Sequence, residues 1–100
     1  MRIEIADKSY VLEYTINSVC ALEKDGIYLS DVANTSGFSG PRLWLWCGLL
    51  HHNKDLTLIG AGELMNEYLK VNSLDDLTKA ISGAIEEAGF LGAQGKKKKN

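Results

Sequence analysis

The stretch Pro41 to His52, Pro-Arg-Leu-Trp-Leu-Trp-Cys-Gly-Leu-Leu-His-His, constrains the fold more than any other part of the chain. It holds both tryptophans and one of the two cysteines. Pro41 suits the first turn of a helix, where a missing N–H costs little. At helical spacing Leu43, Trp46, Cys47 and Leu50 share one face, and Leu45 and Leu49 line nearly the opposite one. Only the sector of Trp44, Gly48, His51 and His52 is left for a wet or partner-facing side. A helix apolar on almost every side is buried. The spacing therefore predicts a central helix over 41–52, with the other elements packed around it.

One hundred residues, 45% of them hydrophobic, suffice for one domain with a modest core. Residues 1–93 are expected to form that domain, and 94–100 a disordered lysine-rich tail. Cys20 and Cys47 both fall on apolar helical faces and read as reduced core thiols, since small disulfide scaffolds are richer in cysteine. No apolar run reaches the length of a membrane span, and the N-terminus starts on a strand pattern without a signal-peptide core. The net charge of −2 hides an asymmetry: four of the eleven basic residues are Lys96 to Lys99, so residues 1–95 carry seven basic against thirteen acidic side chains. An acidic body disfavours nucleic-acid binding, which needs a basic folded face.

Arg2 to Ile5 and Tyr10 to Glu13 alternate apolar and polar residues around a turn at Ala6-Asp7-Lys8-Ser9. Ile3, Ile5, Val11 and Met1 are expected on the core side of this hairpin, and Glu4, Lys8 and Glu13 in water. A lone hairpin is marginal, so it must lie on helices. Thr15 is a plausible N-cap for a helix to about Lys24, with Ile16, Val19, Cys20 and Leu22 inward and Gly26 as its stop. Ile27 to Val32 reads as a short connector, with Ser30 able to cap a single turn. Asn34 to Gly40 is a flexible loop in which Phe38 sits alone, either tucked back to pin the loop or offered to a partner. Thr57 caps a helix to about Lys70 whose apolar face is Leu58, Ala61, Leu64, Met65, Tyr68 and Leu69. Ser73 with Asp76 approximates a capping box for a last helix to about Leu91, with a seam of Leu74, Leu77, Ile81, Ala84, Ile85 and Ala88. The fold class predicted is α+β, an N-terminal β-hairpin packed on a mainly helical domain of about four helices.

Chemical signatures are scarce. Cys47 and His51 at i, i+4 make half a zinc site, but no second Cys/His pair with ligand spacing completes it, so no metal is expected. There is no Gly-x-Ser-x-Gly elbow, and Cys47 has no basic neighbour beyond two neutral histidines. Gly60-Ala61-Gly62 falls inside a helix, where it cannot cradle a phosphate. Asp75-Asp76 and Glu86-Glu87 lie on solvated helix faces. The reading is of a non-enzyme with no cofactor.

The order of elements carries a resemblance. Arg2-Ile3-Glu4-Ile5-Ala6-Asp7-Lys8-Ser9-Tyr10-Val11-Leu12-Glu13-Tyr14-Thr15-Ile16-Asn17-Ser18 is followed by Cys20-Ala21-Leu22-Glu23. The Leu43–Leu50 helix then runs into His51-His52-Asn53-Lys54-Asp55-Leu56-Thr57 and an amphipathic helix. Over roughly residues 2–70 and much of the last helix, this text resembles the small tail assembly chaperones of long-tailed phages and prophages. The resemblance implies a protein of the host bacterial cytoplasm, absent from the finished virion. It would bind the tape measure protein, keep it soluble and assist assembly of the tail tube protein around it. Such chaperones often have a longer form made by ribosomal frameshifting, which would carry the tail tube contact. Four lysines in a row need only AAA and AAG codons, a run on which ribosomes slip. The resemblance also allows a homo-oligomer, and it implies neither nucleic-acid nor membrane partners. The competing reading is a small acidic regulator or adaptor that binds a partner helix or, through its lysine tail, nucleic acid.

Candidate partner-binding residues are Trp44, Phe90, Leu91 and Phe38. Trp44 lies outside both apolar faces of the central helix, one turn before Gly48, and either covers the hairpin or anchors a partner. Phe90 falls about opposite the last helix's seam, with Leu91 at its edge. Large aromatics with no core to enter are common interface anchors.

Overall fold

The computed structural model describes residues 1–24, 26 and 37–89. Among these residues the architecture is the α+β one expected, a two-stranded antiparallel hairpin and four helices. The elements are β1 (Arg2–Ile5), β2 (Lys8–Val11), α1 (Ile16–Glu23), α2 (Ser39–Leu50), α3 (Leu58–Tyr68) and α4 (Leu74–Ala88). The connector 27–32, residues 34–36 of the loop 34–40 and the tail 94–100 lie outside the described residues. Among the described residues, no helix is long and apolar enough to cross a membrane.

The hairpin turn is tighter than the four residues expected. Ile5 pairs directly with Lys8, and the two turn residues Ala6 and Asp7 both have positive φ, 50° and 67°. That is the type I′ pattern, whose twist matches the flanking strands. Opposed residues share a face of the sheet. Ile3 therefore brings Tyr10 to the core side, and Leu12, bonded through its N–H to the Met1 carbonyl, follows it. Val11, expected inward, pairs with Arg2 on the other face and is half-buried, while Leu12 and Tyr14 are buried instead. Alanine is strained at positive φ, and Asn-Gly is the preferred type I′ pair. Replacing Ala6-Asp7 by Asn-Gly should therefore stabilise the protein by about 1 kcal/mol. The check is a urea midpoint that rises with an unchanged slope.

Local capping sets three of the four helix starts. Thr15, Thr57 and Ser73 sit in extended conformation and accept from the N–H groups of Ser18, Gly60 and Asp76. Ser73 and Asp76 close a full capping box, and the bonds from Ser73 hold the Asp76 carboxyl below its ordinary pKa. Gly89, with φ 79°, ends α4 in the left-handed conformation, short of the expected Leu91. Helix α2 begins two residues before Pro41 and has no side-chain cap at Phe38.

The core gathers on α2, as its composition predicts. Trp44, Leu45, Cys47 and Leu49 are fully buried, against Leu12 and Tyr14 from the hairpin, Leu22 from α1 and Leu77 and Ile81 from α4. Two expectations for α1 fail. Ile16 and Cys20 are exposed, because this two-turn helix buries only Ser18, Val19 and Leu22.

Candidate functional site

Trp44, the aromatic that sequence spacing assigns to a partner-facing sector, lies at the centre of the core. Its ring meets Tyr14 edge-on, with centroids 5.7 Å apart and planes at 60°. The Tyr14 hydroxyl donates to the Trp44 carbonyl. Burial pushes that phenol well above its usual pKa, so it stays a donor. The space beside the indole at Gly48 is filled. A Cβ placed on Gly48 would lie 2.5 Å from Leu12 Cδ1 and 2.7 Å from Tyr14 Cζ. The hairpin thus covers the side of α2 that looked free. Trp44 is a packing residue in this arrangement. Phe90 and Leu91 lie outside the described residues.

Phe38 is 63% exposed and stands at the mouth of a groove between the first turns of α2 and the outer face of α3. On the opposite bank is Ile59, 73% exposed. Met65 and Leu69 add apolar surface, and Arg42, Glu63 and Asn66 add polar groups, around a volume of about 570 Å³. Gly62 makes room for Arg42: a Cβ there would lie 3.1 Å from Arg42 Cδ. The arginine stem can therefore lie across α3 while the helices stay close. Sequence reasoning found Phe38 but missed Ile59. A signal was available, since Ile59 is the one large apolar residue of α3 that falls off its predicted inner face.

A second cluster lies where the hairpin's exit strand reaches the end of α2. The Glu13 N–H donates to the Gly48 carbonyl at 2.8 Å. Its side chain, expected simply in water, meets His52 with 2.7 Å between Oε1 and Nε2. The hydrogen bond from His52 holds the Glu13 carboxyl below its ordinary pKa. His51 stacks edge-on with His52, ring centroids 4.8 Å apart. Cys47, the i, i+4 neighbour of His51, takes no part in this cluster. Cys47 is fully buried, its thiol donates to the Ser18 carbonyl, and burial pushes its pKa up to about 11. Such a thiol is neither an available ligand nor a nucleophile.

Comparison with protein-family models, curated proteins and solved structures gives no match. The chemistry of the two surface features stands on their geometry alone. The α2–α3 groove is apolar with a polar rim, the form that receives an amphipathic helix. The Glu13–His51–His52 cluster joins a carboxylate to two imidazoles.

Proposed function

We propose that this chain is a tail assembly chaperone of a long-tailed phage or prophage, and that it holds a helical segment of the tape measure protein in the α2–α3 groove. The observation that carries the reading is the pair Phe38 and Ile59, two large and largely exposed apolar side chains on facing banks of one groove. A helix laid between them would cover both side chains and leave Arg42 and Glu63 at the rim. The acidic body suits the role, because net charge keeps a chaperone and its client dispersed. The client named here rests on the resemblance of residues 2–70 and much of the last helix to that family. In this role the protein acts in the host cytoplasm and leaves before the virion is complete. A longer frameshifted form would bring the tail tube protein.

The test is co-expression with the tape measure protein, to be sought as a long coiled-coil-rich reading frame downstream of this gene. The parent should keep that client soluble. The Phe38→Ser/Ile59→Ser double variant should melt near the parent temperature, since both side chains are already exposed, and the client should precipitate. A client equally soluble with the double variant, or without this chain at all, would overturn the proposal.

A further inference from the structure

Adjacent histidines at the end of a helix are common surface features, and on their own they bind little. Here the fold adds a third donor from 38 residues away. Glu13, His51 and His52 each offer one ligand atom, and the three atoms lie within 4.8 Å of one another. We infer that these three residues form a binding site for a transition-metal dication of the zinc type, distinct from the α2–α3 groove.

The donor set chooses the class of ion. Two imidazole nitrogens and one carboxylate oxygen suit Zn²⁺ and its first-row neighbours, whereas Mg²⁺ and Ca²⁺ call for oxygen throughout. A tetrahedral ion with bonds of ~2.0–2.2 Å needs donors roughly 3.4 Å apart. The Glu13–His52 pair is already closer than that, at 2.7 Å, and the widest separation is 4.8 Å. Rotamer shifts on the order of 1 Å would converge the set, and exposed side chains make such shifts freely. The ion would replace the Glu13–His52 hydrogen bond, with Nε2 of His52 binding it in the tautomer that carries its hydrogen on Nδ1. Water would fill the remaining position.

The backbone under the cluster is fixed before any ion arrives. The Glu13 N–H is bonded to the Gly48 carbonyl, and the neighbouring Leu12 is fully buried. On the other side, the His52 N–H and the Asn53 amide both donate to the Leu49 carbonyl, and Leu49 is fully buried. Binding therefore orders only three side chains, which keeps its entropic cost low. Because the ligands come from the hairpin's exit and the end of α2, a bound ion also ties those segments together and stabilises the folded state.

The experiment is calorimetric titration of Zn²⁺ into the full chain, freed of any polyhistidine tag, with melting measured in Zn²⁺ and in EDTA. One Zn²⁺ per chain is expected, with a melting temperature higher in Zn²⁺ than in EDTA. His51→Ala, His52→Ala and Glu13→Gln should each weaken binding by about tenfold or more while melting like the parent in EDTA. Four results would overturn the site: no uptake at millimolar Zn²⁺, one ion shared by two chains, unchanged affinity in Glu13→Gln, or full uptake by the His51→Ala/His52→Ala double variant. None of them bears on the groove, which is read by client solubility.

Discussion

Trp44→Ala is expected to lower the free energy of unfolding by about 3–5 kcal/mol, the usual cost of deleting a buried large aromatic. Three observations set the size. The indole is fully buried. Its edge-on contact with Tyr14 would go, and the Tyr14 ring would border a void. The residue also sits on the helix that every other layer touches, so little can collapse into the space. A domain of this size has a total stability of about 5–15 kcal/mol, so the variant would be near its threshold at 37 °C. Urea denaturation measures the effect. An unchanged midpoint would remove Trp44 from the core. The same result guards the functional assay: client loss in Trp44→Ala reports unfolding, whereas client loss in the Phe38/Ile59 variant reports contact.

Gly48→Ala should destabilise by about 1–3 kcal/mol, the cost of overpacking a filled core. The sign is the informative part. In an exposed helix interior the same change stabilises by about 1 kcal/mol. Here the added methyl would meet Leu12 and Tyr14 at under 3 Å. Leu12 Cδ1 could swing aside, but the Tyr14 ring is tethered by its hydroxyl to the Trp44 carbonyl. Leu12→Ala should recover part of the loss, so the double variant will be more stable than the sum of the two singles implies. A Gly48→Ala protein that melts above the parent would show that the hairpin does not press on α2 there.

What could be read from the sequence was what short range decides. Thr15, Thr57 and Ser73 cap their helices through groups three residues away. The seam of α4 is likewise plain, because its polar and apolar residues separate cleanly around the helix. Helix α2 defeats the same approach. Its residues are apolar on nearly all sides, so periodicity says that it is buried but not which face meets which neighbour. For that reason Trp44 fits either a cover for the hairpin or an anchor for a partner, and only the arrival of Leu12 and Tyr14 decides between them. The hairpin error was one of register: choosing Val11 over Leu12 and Tyr10 overlooks that Ile3 and its cross-strand partner must share a face. The Glu13–His52 contact had no local signal at all. It follows from the strand exit docking on α2.

The tether between Tyr14 and Trp44 spans 30 residues, and Cys47 reaches back 29 to Ser18. During synthesis this imposes an order. The hairpin and α1 leave the ribosome before α2, so the surfaces that bury Leu12, Tyr14 and Leu22 follow them out. A two-stranded hairpin with an eight-residue helix cannot hold itself together in the interval. Residues 1–24 therefore wait with their apolar face open until α2 emerges. Helix α2 supplies the surface on which earlier and later segments pack, so a pause in translation before it emerges prolongs their exposure.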